Sequence, residues 1–183
     1  MKILVINPGG TSTKIAVFED EKELFKENIT HTGEDLKGFP HVFDQFGYRK
    51  DIILETLKKA GFEIRTFAAV AGRGGLMNPI PGGTYTVNSR MVEDLRGAIH
   101  GEHPSNLGAV LAKEIGDEIG ASSFVVDPVS VDELMPKARI SGISDLERPS
   151  WFHALNHKAV ARWTAERIGK KYEDCNLIIA HLG

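Results

Sequence analysis

The sequence lacks the features that mark secreted, membrane-spanning or nucleic-acid-binding proteins. Its 183 residues include a single cysteine, Cys175, which excludes an intrachain disulfide. No apolar run is long enough for a membrane span, and the apolar start Met1–Gly9 is too short for a signal peptide. The formal net charge of −3 gives no overall attraction to nucleic acid or anionic lipid. We therefore expect a cytoplasmic protein in a reducing compartment, with neither nucleic acid nor a membrane as partner.

The composition is that of an ordinary globular protein, with 42% hydrophobic and 8% aromatic residues. The length suits one substantial core and is short for two full domains. Hydrophobic periodicity and glycine stops predict the elements beyond residue 20. They are strands at Lys22–Thr30, Thr84–Val87, Phe124–Val126 and Leu177–Ala180, and helices at Arg49–Ala60, from Ser89, at Pro104–Ile119 and at Ala154–Ile168.

The first twenty residues predict a β-hairpin with a polar turn. Lys2–Asn7 has the pattern of a buried strand, Pro8–Lys14 that of a tight turn, and Ile15–Phe18 that of a second strand. The turn contains two consecutive glycines followed by three hydroxyl residues and a lysine. This composition makes the turn a candidate for chemistry.

The turn residues are suited to meet phosphate. Gly9 and Gly10 can take positive φ and let the backbone approach an anion closely. Thr11 and Ser12 offer hydroxyl and N–H donors, and Lys14 can add positive charge. The alternative is a hairpin with a Ser/Thr-rich turn and no ligand.

The hairpin resembles that of a known family of phosphotransferases. The GxGxxG and GxxxxGK[ST] loops require a helix after the loop, whereas a strand follows here, so neither motif matches. Asn7–Lys14 instead resembles the opening hairpin of the acetate and butyrate kinase (acetokinase) family, and the likeness covers essentially the whole chain. It implies an α/β fold, the ribonuclease H-like domain of the actin, sugar kinase and acetate kinase ATPase superfamily, with a mixed sheet and flanking helices. It also implies phosphate or nucleotide binding by Asn7, Gly10, Thr11, Ser12 and Lys14.

Arg73 lies among glycines directly after the apolar run Phe67–Ala71. A guanidinium there can pair bidentately with a carboxylate, and a surface ion pair is the alternative. The segment resembles the arginine motif of the family, which implies that Arg73 binds the acyl carboxylate and the transferred phosphoryl group. Glycines, Gly75 among them, replace bulkier neighbours of that arginine, so we expect room for a C4 or branched acid.

Two further residues follow the same resemblance. His103 precedes a predicted helix, where it lines the acyl site by resemblance or serves as a helix-start residue with Ser105 and Asn106 as caps. Asp127 follows a predicted central strand, where ligands often gather in α/β sheets. By resemblance it positions the metal and the phosphoryl group, and a structural turn aspartate is the alternative. The metal, Mg²⁺, is expected to be held through Asn7 and Asp127.

Three histidines lie near the carboxyl end of the sequence. His153 and His157 are four residues apart, but no glutamate stands between them as in HExxH, so we reject a zinc site. His181 follows the apolar run Leu177–Ala180 and is expected to project beyond the sheet. The resemblance implies that its imidazole stabilises charge on the phosphoryl group.

The resemblance implies a short-chain carboxylic acid kinase that uses ATP and Mg²⁺ and releases acyl phosphate and ADP, with Arg73, Asp127 and His181 as catalytic residues. It implies an amino-terminal domain over residues 1–150 and the start of a truncated nucleotide-binding domain over 151–183. Because family members continue beyond this point, we expect the chain alone to be inactive and the complete protein to be a homo-oligomer. The alternatives are a non-catalytic acyl- or phosphate-binding domain and another ATPase or sugar kinase of this fold.

Overall fold

The computed structural model describes residues 1–182. Two compact units make up this part of the chain, the first comprising Met1–Asn78 with Gly83–Val126 and the second Pro79–Gly82 with the chain from Asp127 onward. The domain boundary expected at residue 150 thus lies within the second unit. The division into domains over 1–150 and 151–183 stays a prediction.

A mixed six-stranded sheet, with strand order β3-β2-β1-β4-β6-β5, forms the first unit. β1, β4 and β6 run parallel, whereas β2, β3 and β5 are each antiparallel to their neighbours. This confirms the expected fold class of a mixed α/β sheet. The strands are β1 (Lys2–Pro8), β2 (Ser12–Glu19), β3 (Lys22–Thr30), β4 (Ala69–Gly72), β5 (Thr84–Thr86) and β6 (Ser122–Val126).

Buried residues alternate along the strands of the first unit, so one face of the sheet is apolar, and helices pack on that face. Leu4 and Ile6 of β1 are fully buried and share one core with the apolar faces of α2 and α4. Ile3, Val5 and Asn7, which alternate with them along the strand, are only partly buried. The helices of this unit are α1 (Gly33–Leu36), α2 (Phe46–Lys59), α3 (Ser89–Arg96) and α4 (Asn106–Ile119), with 3₁₀ turns at Val42–Gln45 and Ile64–Thr66.

Glycine allows β4 and α4 to approach closely. A Cβ added at Gly72 would overlap the carbonyl oxygen of Gly108, and a Cβ added at Gly108 would overlap that of Arg73. No side chain larger than hydrogen fits at this crossing. The contact fixes α4 against the end of β4, directly before Arg73.

The second unit contains two helices, α5 (Pro136–Arg139) and α6 (Ala154–Arg167), and a 3₁₀ turn at Tyr172–Asp174. An isolated parallel bridge joins Ile80 to Val131. α6 ends as predicted at a glycine, since Gly169 takes a φ of 70°. No helix of residues 1–182 has the length and apolar character to cross a bilayer.

The prediction of a buried strand at Leu177–Ala180 is wrong. The structure has no strand there, and Ile178 is 99% exposed. An apolar run becomes a buried strand only when a neighbouring strand supplies its hydrogen bonds, and the described residues of the second unit form no strand. His181 therefore follows an extended, exposed segment.

Candidate functional site

Arg73 and Asn7 lie together at the carboxyl edge of the parallel strands. Asn7 is the penultimate residue of β1, and Arg73 directly follows β4, the parallel neighbour of β1. The backbone N–H of Arg73 donates to the carbonyl of Ile6 at 2.9 Å, which continues the ladder by one residue. Its Nη1 lies 3.4 Å from Asn7 Oδ1. The topology thus brings two predicted site residues, 66 positions apart in sequence, to one point.

The guanidinium of Arg73 is half-buried and makes few contacts besides the one with Asn7. Within residues 1–182, Asn7 Oδ1 is the only hydrogen-bond acceptor that it contacts, and no carboxylate lies within ion-pair distance. Burial lowers the pKa of Arg73, although a guanidinium stays charged in proteins. A partly desolvated cation with free donors is suited to bind a carboxylate or a phosphoryl group.

The hairpin turn exposes amides and hides carbonyls. The carbonyls of Gly10 and Ser12 accept hydrogen bonds from the side chain of Arg49, and the carbonyl of Thr11 accepts from the N–H of His31 at 2.8 Å. The N–H groups of Gly10 and Thr11 donate to no acceptor within the described residues. Neighbouring N–H groups that face outward form an anion-binding concavity.

The glycines of this turn do not use positive φ. Neither Gly9 nor Gly10 lies in the left-handed region, so the conformational reason given for them in the sequence analysis is wrong. An added Cβ at Gly10 would meet nothing within 4 Å. The space beside Gly10 is therefore open to a ligand rather than required by packing.

Ser12, Thr13 and Lys14 alternate between the two faces of β2. Lys14 is exposed and lies opposite Asn7 in the β1–β2 register, so their side chains share a face, as does Ser12. Thr13 is fully buried on the other face. Four of the five predicted phosphate-binding residues, Gly10, Thr11, Ser12 and Lys14, are therefore exposed or half-buried in or beside the turn. The fifth, Asn7, contacts Arg73.

A buried polar network that was not predicted from the sequence lies behind the turn. Thr13 Oγ1 lies 2.8 Å from His31 Nε2 and accepts a hydrogen bond from Arg49 Nη1 at 2.8 Å. His31 Nδ1 is 3.1 Å from the hydroxyl of Tyr48. The spacing Arg49, Ile53, Leu57 places the arginine on the apolar face of α2, and this spacing was the available signal for a buried arginine.

The space at Gly75 is filled by protein. A Cβ there would lie 2.5 Å from the Cα of Asn106 and 2.8 Å from Leu95 Cδ2. Asn106 Oδ1 accepts from the N–H of Leu76 at 2.9 Å, which ties the segment after Arg73 to α4. Gly75 thus permits this close packing, and it does not leave the room for an acyl chain that was expected at this position.

His103 lies at the start of α4 and is exposed. Its Nδ1 lies 2.7 Å from Ser105 Oγ and accepts from the N–H of Ser105 at 3.2 Å. His103 therefore lies at the helix start, as one of the two alternatives expected, but the capping expected of Ser105 and Asn106 is wrong: Ser105 makes no side-chain capping hydrogen bond, and the Asn106 side chain bonds to Leu76 and Gly101. A role of His103 in acyl binding stays a prediction.

In the second unit, Asp127 is buried among cations. One carboxylate oxygen lies 3.5 Å from Lys158 Nζ and the other 3.9 Å from Arg162 Nη1. Lys158 also contacts Glu133 at 2.7 Å. Burial lowers the pKa of Lys158, but the hydrogen bond with Glu133 and the two carboxylate charges outweigh burial, so its pKa lies above the ordinary value. Asp127 takes a φ of 38°, which is uncommon for a residue other than glycine.

These residues do not form a magnesium site by themselves. Mg²⁺ requires several oxygen ligands, whereas Lys158 and Arg162 bring an ammonium and a guanidinium to the Asp127 carboxylate. Across residues 1–182, no three His, Cys, Asp or Glu side chains come together as ligands. The metal roles expected for Asn7 and Asp127 stay predictions.

Three histidine rings cluster in the second unit. The ring of His181 meets that of His153 edge-on, with centroids 4.4 Å apart, and lies 5.8 Å from that of His157. His181 Nδ1 is 2.8 Å from Asn156 Oδ1, and its side chain is exposed. Asn156 thus fixes the orientation of the imidazole that was predicted to stabilise the phosphoryl group.

Solved structures of two short-chain acyl kinases are similar to this chain in fold. The acetate kinase of Porphyromonas gingivalis superposes on 93% of this chain with a TM-score of 0.58 and 15% identity, over 50% of its own length. The propionate kinase of Francisella tularensis covers 92% of this chain with a TM-score of 0.58 and 14% identity, over 49% of its length. These similarities show a shared fold.

Sequence comparison gives the particular relatives. The chain is 54% identical over 182 residues to a Clostridium botulinum protein named "Probable butyrate kinase" and 52% identical to "Butyrate kinase 1" of Clostridium acetobutylicum. Each alignment covers 100% of this chain and 51% of the relative, so the chain spans about half the length of the relatives it matches. No family model matches the chain. The chain is a homologue of the butyrate kinases over its whole length.

Proposed function

We propose that the full-length protein is a short-chain carboxylic acid kinase that transfers the γ-phosphoryl group of ATP reversibly to butyrate or a branched short-chain acid. A carboxylate oxygen attacks the γ-phosphorus, the bond to the β,γ-bridging oxygen breaks, and acyl phosphate and ADP are released. A carboxylic acid resembles a glutamate side chain, with a pKa of about 4.3, so the nucleophile is already ionised near neutral pH. No general base is needed.

The single observation that carries this proposal is the convergence of Arg73 and Asn7 at the carboxyl edge, beside the β1–β2 turn. Bringing a carboxylate to a polyanionic nucleotide requires fixed positive charge and hydrogen-bond donors. The guanidinium supplies the charge, and the N–H groups of Gly10 and Thr11, which donate to no acceptor within residues 1–182, supply further donors. The names of the relatives add the acid class, since they are called butyrate kinases.

The roles assigned to individual residues follow this demand. Arg73 binds the acyl carboxylate and the transferred phosphoryl group. Asn7, Gly10, Thr11, Ser12 and Lys14 hold nucleotide phosphates. His181 stabilises charge on the phosphoryl oxygens, Asp127 positions the metal and the phosphoryl group, and His103 borders the acyl group.

In this proposal, Mg²⁺ reaches the site bound to the substrate ATP. ATP arrives as its Mg²⁺ complex, in which phosphate oxygens and water are the main ligands. We further propose that the full-length protein acts in the cytoplasm as a homo-oligomer.

Hydroxylamine trapping of acyl phosphate tests the function directly. The full-length protein with ATP, Mg²⁺ and butyrate should form hydroxamate, and acetate should react more slowly than butyrate or isobutyrate. Faster turnover with acetate would contradict the C4 preference. Phosphorylation of a sugar, or acid binding without hydroxamate, would identify instead a sugar kinase or a non-catalytic acyl-binding domain.

A further inference from the structure

Arg49 is a fully buried arginine for which the proposed reaction has no direct use. Burying a cation is costly, so it persists only where its contacts compensate. Each of its five N–H donors has a neutral oxygen acceptor. Nε and Nη2 donate to Gln45 Oε1 at 3.0 and 2.8 Å, Nη1 donates to Thr13 Oγ1 at 2.8 Å and to the Ser12 carbonyl at 3.2 Å, and Nη2 donates to the Gly10 carbonyl at 3.3 Å.

The charge of Arg49 has no anionic partner. No carboxylate within residues 1–182 lies at ion-pair distance from it, and all of its acceptors are amide, hydroxyl or carbonyl oxygens. Burial lowers the pKa of Arg49, but a guanidinium remains protonated. A full positive charge is therefore held within hydrogen-bond distance of the β1–β2 turn, in surroundings that screen it less than water does.

The position of this charge determines how the turn faces solvent. The Gly10 carbonyl is held by Arg49, the Ser12 carbonyl accepts from Arg49 and, at 2.7 Å, from the N–H of Gly9, and the Thr11 carbonyl is held by the N–H of His31. Because a peptide N–H points opposite to the carbonyl of the preceding residue, holding the Gly10 carbonyl inward turns the N–H of Thr11 outward. Neither this N–H nor that of Gly10 donates to an acceptor within residues 1–182. The open space beside Gly10 lies at the same place.

We infer that Arg49 is a positioning residue for phosphate binding: it holds the turn with its amides outward, and its uncompensated charge favours an anion on that side. The inference rests on the proposed function, because it takes the turn to bind phosphates of ATP. Arg49 acts through the turn and does not touch the substrate. Its loss should therefore weaken ATP binding selectively and leave binding of the acid, which Arg73 contacts, nearly unchanged.

The experiment compares Arg49→Met, which removes the charge and all five donors, with Arg49→Lys, which keeps the charge with fewer donors. Ile53→Ala is the matched control, because Ile53 is fully buried one turn further along the same face of α2 and contacts no part of the hairpin turn through hydrogen bonds. The full-length protein is used, with KM for ATP, KM for butyrate and the urea midpoint measured for each variant.

Arg49→Met should raise the KM for ATP by about tenfold or more, the equivalent of losing one charge-assisted hydrogen bond. Its KM for butyrate should change by less than about twofold. Arg49→Lys should fall between Arg49→Met and the unaltered protein. Ile53→Ala should lower the urea midpoint without changing either KM.

Equal KM changes for both substrates, or the same pattern in Ile53→Ala and Arg49→Met, would overturn the positioning role and leave Arg49 as a structural residue. If Arg49→Met does not fold, a folded Arg49→Lys with the KM for ATP of the unaltered protein would have the same meaning. Calorimetric binding of MgATP separates this inference from the proposed function. A protein that forms no hydroxamate but binds MgATP more weakly in Arg49→Met would refute the kinase and retain the role of Arg49.

Discussion

Arg73 reaches across the carboxyl edge of the sheet so that its Nη1 lies 3.4 Å from Asn7 Oδ1. Each residue lies at the end of a different parallel strand, and the backbone of Arg73 is hydrogen-bonded to Ile6, the residue before Asn7. The sheet therefore holds the backbone of Arg73, and the side-chain amide of Asn7, a residue of the hairpin, holds its guanidinium. A shift of either strand would separate them.

The first prediction concerns Arg73. Arg73→Ala in the full-length protein should lower hydroxamate formation from butyrate by about 100-fold or more, because a fixed positive charge beside the transferred phosphoryl group would be lost. Arg65→Ala is the control, since Arg65 is an exposed arginine of the same unit. Near-normal turnover of Arg73→Ala would refute the role proposed for Arg73.

The second prediction concerns two glycines with opposite surroundings. Gly10→Ala should leave the urea midpoint unchanged, because its new Cβ meets nothing within 4 Å, and should raise the KM for ATP if phosphate occupies that space. Gly72→Ala should unfold at much lower urea, because its Cβ overlaps the backbone of α4. An ATP affinity unaffected in Gly10→Ala would place the nucleotide elsewhere.

Much of the fold was predictable because its signals are local. The strand Lys22–Thr30 has the bounds that its pattern predicts, and α4 and α6 end at Gly120 and Gly169, each in the left-handed conformation. The segment Leu177–Ala180 was not predictable in the same way. Its apolar pattern reports a preference for burial, and it carries no information about whether a partner strand is present.

The same distinction, between local signals and contacts with distant residues, applies to the candidate site. Asn7 and Arg73 could be predicted because each lies at the end of an apolar run, and the ends of parallel strands meet at one edge. The network behind the turn could not, because Thr13 contacts residues 18 and 36 positions away whose types suit many surface roles. Only the spacing of Arg49 with Ile53 and Leu57 indicated burial, and that spacing does not identify the acceptors.

The third prediction concerns the ion pair of Asp127 with Lys158 in the second unit. Asp127 is 4% exposed, so Lys158→Met should lower the free energy of unfolding by about 1–3 kcal/mol, because a buried carboxylate loses its nearer cation. Lys170→Met, at an exposed lysine of the same unit, should change it by less than about 0.5 kcal/mol. In a double-mutant cycle with Asp127→Asn, additive losses would show that the two side chains do not interact.

The last prediction concerns His31 and pH. Burial lowers the pKa of His31, the charge of Arg49 lowers it further, and Asp35 opposes them only in part. The folded-state pKa therefore lies below the ordinary value of 6.5, while the unfolded chain titrates near that value. Between these two values the unfolded state binds more protons, so stability falls as pH drops from about 6.5 through the folded-state pKa. Above about pH 7.5 His31 is neutral in both states and does not change the free energy of unfolding with pH.

Urea unfolding of the unaltered protein and of His31→Gln between pH 5 and 8 measures this effect, since glutamine keeps a donor and an acceptor but does not titrate. The other six of the seven histidines are common to both proteins, so the difference between the two curves isolates His31. The unaltered protein should lose more stability than His31→Gln on acidification, because a charged imidazole would lie beside the buried guanidinium of Arg49 and could no longer accept from the hydroxyl of Thr13. Parallel curves would mean that His31 keeps its ordinary pKa in the folded state, and the neutral network behind the turn would then be incorrect.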